Sequence, residues 1–350
     1  YNNKKNQIII SRFKYDDKIK IAPLSSEVKL LIIDRLPSVS SDKPEHNCGT
    51  IDFNPKDNYL YVCIGDTRVP ESSQNINVLN GKILRINPFV EDTSEKNYIT
   101  VKENPFIQLK GKPEILFAGF RNPWNFSFDP ETGDIYIPDV GSEYIEELNV
   151  VKYDDFNNFL NFGAGCFEGS YRIYDKHYED ALNTEKICLK NINNPLIKMV
   201  EPKLQYFHDS LIWTNKNYGN SIIGGVVYKN KDSIWHNHYF FGDHISSNIW
   251  YLDTSKKNYI GINLLFSEYF GLTSINQVDD KLLATSIMGL IYEIDLPDKK
   301  NLEKSIYNRP IIYNKLHAVD IMNSNNEIIF TSTSEFYQFL VKARKFKKKI

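Results

Sequence analysis

HNCGTIDFNPKDNYLYVCIGDTRVPESSQNINVLNGKILRI, residues 46–86, sets out the grammar of the whole chain. A histidine opens it. An alternating run at 50–53 and a second run at 59–64 read as strands of a hairpin. The turn between them, Asn54-Pro55-Lys56-Asp57-Asn58, has the residues that reverse a chain: proline presets φ, and Asp and Asn tolerate tight backbone geometry. Gly65-Asp66, a polar loop containing Gln74 and a third run at 82–86 complete the unit.

The same order returns downstream. Residues 124–128, the turn 129–134, 135–137 and Asp139-Val140-Gly141 form a second copy, and 272–275, 278–281, 282–285 and 289–294 a third. A weaker copy covers 318–339, and a variant runs through 222–228, 239–243 and 248–252. With two strands at 8–13 and 28–33 the chain holds about six such units, the signature of a repeat architecture. Their uneven spacing argues against a solenoid, and long insertions at 90–112 and 155–205 suit a β-propeller, whose loops build a site on one face. No segment shows a capped helical period, which disfavours α/β folds. The expectation is all-β: a six-bladed β-propeller of four-stranded antiparallel blades, its first blade incomplete. It would occupy residues 1–342 as one domain, followed by a basic tail at 343–350. The structural alternative, a two-sheet sandwich, leaves six copies of one unit unexplained.

Composition supports strands. Of 350 residues, 41% are hydrophobic and 13% aromatic, including 22 Tyr and 21 Phe, and aromatic side chains suit pleated sheets. With 44 acidic against 42 basic residues the net charge is −2, so no global field points to nucleic acid. Apolar runs stay below the roughly 18–20 residues that span a bilayer. The chain starts Tyr-Asn-Asn-Lys-Lys with no apolar signal region and no initiator Met, which reads as a mature form or a fragment. Cys48, Cys63, Cys166 and Cys188 lack metal spacing. Cys166 and Cys188 bracket a loop-rich region and suit a disulfide in an oxidising compartment. Cys48 and Cys63 fall on the two hairpin strands, either facing each other or buried as free thiols.

Several polar groups stand at strand ends. If the strands next to His46 and Asp66 are neighbours, Asp66 fixes the tautomer of the imidazole, as a general base requires; taken singly, Asp66 caps a turn and His46 is solvated. In Gly119-Phe120-Arg121-Asn122-Pro123-Trp124 the proline extends Asn122, and Arg121 can meet a carbonyl or anion or simply brace loops. Residues 139–149 bring Gly141, Ser142, Glu143, Glu146 and Glu147 into one loop, either a hard-cation site or a solvated acidic turn. Gln74 lines a pocket or lies exposed in its loop. His236 and His238 have no third ligand in the sequence, so a metal there is not expected.

Taken in order, HNxGxxxFxPxxxLYVxIGD, then Gln74 and GKILRI, GFRNPWNFSFDPxTGDIYIxDVG, EELN, NFG, EG, IIGGVVY and FFGD resemble the soluble glucose and aldose-sugar dehydrogenases. That family includes sorbosone-dehydrogenase-like proteins and the propeller of Hedgehog-interacting proteins. The resemblance covers about residues 8–295. It implies a central site for pyrroloquinoline quinone (PQQ) and Ca²⁺, an aldose sugar or related alcohol as substrate, an external electron acceptor, and a periplasmic or secreted protein. By position, His46 matches the catalytic base, Asp66 the acid that orients it, and Gln74, Arg121 and Asn122 the residues that hold the quinone, with Arg121 also stabilising charge on its oxygens. Gly141 and Ser142 fall where main-chain oxygens bind Ca²⁺, and Glu147 where a carboxylate serves a second calcium.

The chain departs from the family pattern at several places. Ser246, Ser247, Leu272 and Thr273 stand where late blades supply Lys and Arg to the cofactor's carboxylates, with Lys229 as a candidate replacement. Ser142 stands for a Pro, Val140 for a Gln, Cys48 for a Gly, and Ala164 where a Trp follows the turn. Two functions follow: a quinone-dependent oxidoreductase, or a non-catalytic propeller acting as a protein- or carbohydrate-binding module. Fold alone does not choose between them.

Overall fold

The computed structural model describes residues 1–3, 5–37, 45–47, 49–89, 97–173, 181–208, 219–255 and 271–296, with two short strands, Ile321–Met322 and Ile328–Phe330, further on. Strands dominate. The backbone packs as two units, Tyr1–Asp139 with Val150–Val200, and Val140–Asn149 with Glu201–Ile350.

In the first unit, Gln7–Arg12 pairs antiparallel with Val28–Asp34. The opening stretch builds an antiparallel sheet in the order Ile51–Phe53, Leu60–Ile64, Lys82–Asn87, Ile115–Ala118. These are the four strands expected of one blade. The sheet then continues with two short parallel strands, Leu160–Asn161 and Lys198–Met199, which the repeat grammar does not anticipate. Every residue of Leu60–Ile64 is buried, so this strand has core on both faces rather than one.

The hairpin turn has a second use. Asn54 is fully buried: its Oδ1 accepts the Lys56 N–H at 2.8 Å, and its Nδ2 donates to Gly133 O at 2.9 Å. The first repeat's turn is therefore pinned to the second's. Aromatic residues fill the space beneath, with Tyr61 edge-on to Phe128 at 4.9 Å and Phe117 edge-on to Phe156 at 5.3 Å, contacts that add to simple burial.

Among the described residues two α-helices interrupt the sheets, a short α1 (Pro70–Gln74) and a twelve-residue α2 (Ala181–Ile192). The sequence reading expected neither. The α2 stretch lies inside the 155–205 insertion; Lys190 in its last turn, then Asn193 and Pro195, mark its end, signals that a reading by strand repeats passes over. The helix is tied to the loop before it by a Cys166–Cys188 disulfide across 22 residues. Such a bridge is worth about 3 kcal/mol against the unfolded chain. Cys63 is also disulfide-bonded, which removes the free-thiol alternative for it; Cys48 lies outside the described residues.

In the second unit, Ile222–Tyr228, His238–Asp243 and Ile249–Asp253 form an antiparallel sheet, as do Leu272–Val278, Lys281–Ser286 and Ile291–Ile294. Both follow the predicted units. The glycine pair in IIGGVVY breaks the first register between Ile223 and Val226, and a Cβ on Gly225 would overlap Phe240 O. Trp235, Phe240, Tyr251 and Ile275 form the core there. Ile321–Met322 pairs antiparallel with Ile328–Phe330; the rest of the weak fourth copy, and the basic tail 343–350, lie outside the described residues.

Candidate functional site

His46 is held in the left-handed region at φ 51°, where a non-glycine residue is strained. Its carbonyl packs against Gly65, so closely that any Cβ at Gly65 would overlap it and crowd Arg121 O as well. Only glycine lets these two backbones close on the strand end. The next residue, Asp66, uses its N–H to bond Arg121 O at 2.8 Å. Its side chain meets the imidazole, with His46 Nδ1 and Asp66 Oδ1 2.6 Å apart and the two side chains 11% and 3% exposed. An ionised carboxylate only accepts, so Nδ1 carries the proton and Nε2 keeps the lone pair a base needs.

Asp66 is braced in turn. Its Oδ1 also accepts the Arg68 N–H at 2.8 Å, and its carbonyl accepts Ser72 Oγ from α1 at 3.0 Å. Thr67 and Arg68 are left-handed too, φ 53° and 63°. One member of the dyad and the two residues after the other are thus strained. Opposite it, Asp139 grips the next pair: its Oδ2 accepts the Arg121 N–H at 2.9 Å and its Oδ1 the Asn122 N–H at 2.7 Å. Burial pushes the Asp139 carboxyl up to about 7, while those two N–H bonds and the Arg121 charge pull it down. The sequence reading counted Asp139 only among the clustered carboxylates of the 139–149 loop and gave it no part in holding Arg121 and Asn122. Its only signal was its place at a strand end before Val140-Gly141.

The structure therefore brings His46, Asp66, Arg121 and Asn122 together. Asn122 Oδ1 is buried and has no hydrogen-bond partner among the described residues, an acceptor left over for an N–H or O–H from outside the chain. Gln74 is different. Rather than lying exposed in a loop, it ends α1 at 1% exposure. Its Nε2 donates to Asn161 Oδ1 and Ala164 O at 3.0 and 2.9 Å, and its Oε1 accepts from Asn161 Nδ2 and Asn191 Nδ2 at 2.8 and 3.0 Å. Both donors and both lone pairs are used. Of the expected site residues on this wall, Gln74 has its amide fully engaged within the chain, while Asn122 Oδ1 is left as an acceptor.

In the second unit the acidic loop is not a solvated turn. Glu146 is fully buried and Glu147 is 6% exposed. Glu146 accepts the Gly141 N–H at 3.3 Å and the Ile222 N–H at 3.0 Å, and lies 2.6 Å from His208 Nε2. Asn149 Nδ2 donates to Glu147 Oε2 at 3.3 Å, while Asn149 Oδ1 is buried without a partner among the described residues. A carboxylate beside an unclaimed amide oxygen suits a hard cation. No cluster of three or more His, Cys, Asp or Glu that could hold a metal occurs among the described residues; the oxygens expected at Gly141 and Ser142 are main-chain. Asn149 closes the 139–149 loop that the sequence offers as a hard-cation site but was given no role of its own, and His208 was missed because nothing near it in sequence marks a site.

The late positions carry no cation. Ser246 Oγ bonds Asp243 Oδ1, Ser247 Oγ accepts the Gly271 N–H, Thr273 Oγ1 meets Thr285 Oγ1, and Leu272 is core. Lys229 Nζ bonds Asn237 Oδ1 at 2.6 Å, so the candidate replacement is engaged inside its own sheet. His238 Nδ1 faces the His236 carbonyl at 3.2 Å.

Comparison with known proteins gives this geometry a context. The family described as Glucose / Sorbosone dehydrogenase matches residues 2–159. The HIPL2 protein of Arabidopsis thaliana is 31% identical over 242 residues, 65% of this chain and 31% of that protein. The match thus spans about a third of the relative's length. Among solved structures, a glucose dehydrogenase superposes with TM-score 0.60 at 15% identity, covering 85% of this chain and 76% of that one. The PQQ-bound form of an aldose sugar dehydrogenase from Streptomyces coelicolor gives 0.52 at 20% identity, covering 79% and 65%. Likeness at these identities shows the fold, the all-β propeller expected from the repeats. Over residues 2–159, the chain is similar to the glucose and sorbosone dehydrogenases its motifs resemble.

Proposed function

We propose that the chain is a PQQ-dependent oxidoreductase that oxidises a hydroxyl of an aldose sugar or related alcohol, and that it is exported to the periplasm or secreted. The observation that carries this is the His46–Asp66 pair, 2.6 Å apart and closed against Arg121 by strained backbone. A bare structural turn needs no such arrangement. Bound quinone would supply the two-electron acceptor that no side chain offers. His46 Nε2 takes the hydroxyl proton as the carbon–hydrogen bond is cleaved. Asp66 holds the ring and stabilises the imidazolium that results. Arg121 places a cation where negative charge develops, and Asn122 Oδ1 accepts an N–H or O–H from the bound group. In the second unit, main-chain oxygens of Gly141 and Ser142 are the Ca²⁺ ligands in this reading, with Glu147 and Asn149 Oδ1 serving a second calcium. The disulfides support an oxidising compartment.

Reconstitution with PQQ and Ca²⁺, followed by aldose-dependent dye reduction, tests the proposal. Wild type is expected to turn over and His46→Ala to lose at least ~100-fold. Inactivity of the wild type, or an unchanged variant, removes the enzymatic reading and leaves the binding module.

A further inference from the structure

We infer that Gln74 is a positioning residue, the point through which the disulfide-stapled helix α2 locks α1 and so holds Asp66 against His46. Which residues the pair acts on rests on the function proposed above; the locking does not, because every contact in it is internal to the protein.

The links run in one direction. Cys188 fixes α2 to Cys166. One turn further along α2, Asn191 is buried, and its Nδ2 donates to both the main-chain oxygen and the Oε1 of Gln74, at 2.9 and 3.0 Å. On its other side Gln74 is clasped by Asn161, which exchanges two hydrogen bonds with it. Asn161 fits there because Gly119, at φ 86°, has no Cβ to obstruct its Oδ1. The remaining Gln74 N–H goes to Ala164 O, and Ser73 Oγ lies 2.5 Å from the same oxygen. With its last two residues fixed, α1 presents Ser72 Oγ to Asp66 O. Lys82 closes the underside, its Nζ donating to Ser72 O, Ser73 O and Asn80 O at 2.8, 3.0 and 2.7 Å. Burial lowers the lysine's pKa, with Asp66 opposing, and the three carbonyls it donates to spend all three N–H donors of the ammonium. A side chain whose hydrogen-bonding capacity is fully spent this way cannot also bind a cofactor without breaking the lock.

The test uses the full chain without cofactor. The imidazole Nδ1 proton of His46, held by Asp66, gives a downfield NMR signal whose exchange with solvent reports how firmly the pair is closed. Gln74→Ala and Asn191→Ala are each expected to speed that exchange about tenfold, the cost of a lost buried hydrogen bond, with circular dichroism unchanged. Asn191→Ala keeps Gln74 itself and serves should Gln74→Ala fold poorly. A Cys166→Ser/Cys188→Ser variant, which leaves the Cys63 disulfide in place, is expected to act in the same direction. Unchanged exchange in Asn191→Ala overturns the inference. So does a loss of PQQ binding, measured by equilibrium dialysis, in Gln74→Ala but not in Asn191→Ala with the ring signal intact, because that pattern marks a cofactor ligand. Absence of quinone activity in every protein would remove the enzymatic reading alone, since the ring signal is read without quinone.

Discussion

Gly65-Asp66 and Gly242-Asp243 are the same dipeptide at the end of a strand, and each aspartate caps the turn that follows it. In each, Asp Oδ1 accepts the N–H two residues on, from Arg68 in one case and Ile245 in the other, both at 2.8 Å. In each the aspartate is buried. They differ in what the side chain meets beyond the turn. Asp66 meets the His46 ring, whereas Asp243 accepts from Tyr206 Oη and the Ser221 N–H, both at 2.7 Å. Tyrosine in that role is a permanent donor, so the second turn is a brace. The turn motif is thus neutral toward function, and a partner brought from elsewhere in the chain decides it.

Asp66→Asn against Asp243→Asn should break that comparison most visibly. Asparagine keeps Oδ1 as an acceptor for both the turn N–H and the ring but loses the negative charge that stabilises the imidazolium, so reconstituted dye reduction is expected to fall by ~10²–10⁴-fold for Asp66→Asn. Asp243→Asn is expected to stay within about fivefold and to lose stability instead, about 1–3 kcal/mol by urea denaturation. Equal losses of activity would erase the distinction.

A smaller effect concerns pH. Burial raises Asp139 to about 7 and, with Glu146 adding to it, Asp243 to about 6. A carboxyl raised on folding binds more protons in the native state than in the unfolded one. Stability therefore falls as pH rises between the ordinary carboxylate range and those values. Wild type should gain on the order of 1 kcal/mol relative to Asp139→Asn on going from pH 7 to pH 5, read as the difference in urea denaturation. A relative loss would reverse the assignment. The smallest expected change is Tyr206→Phe, about 1 kcal/mol of stability with turnover unchanged; a large drop in turnover would make the second turn more than a brace.

Much of this fold is legible because its turns are written in local chemistry. Asn54-Pro55-Lys56-Asp57-Asn58 announces a reversal by backbone preference alone, and the alternating runs beside it can only be strands. The parallel additions at Leu160–Asn161 and Lys198–Met199 could not be read, being two residues long and paired by distant neighbours. Helix α2 does carry end signals in Lys190, Asn193 and Pro195, but it lies in an insertion outside the strand repeat. At the site, His46 and Asp66 could be paired on the guess that their strands adjoin. Asp139 and Asn191 could not, because their roles depend on backbone N–H groups and amides set in place by the folded chain. Gln74 is the instructive case: position along the motif suggested an open amide, and packing closed it.

That closure bears on how the molecule assembles. Asn161 and Asn191 lie 87 and 117 residues beyond Gln74, so their contacts demand much larger loop closures than the hairpins around them and form late on topological grounds. The strands from Ile51 to Ala118 can pair before any of this happens. A nascent or partly oxidised chain can therefore possess its sheet while lacking the support beneath Asp66. The dyad is then a mark of completed folding, gained only when the last long-range contact and its neighbouring disulfide are in place.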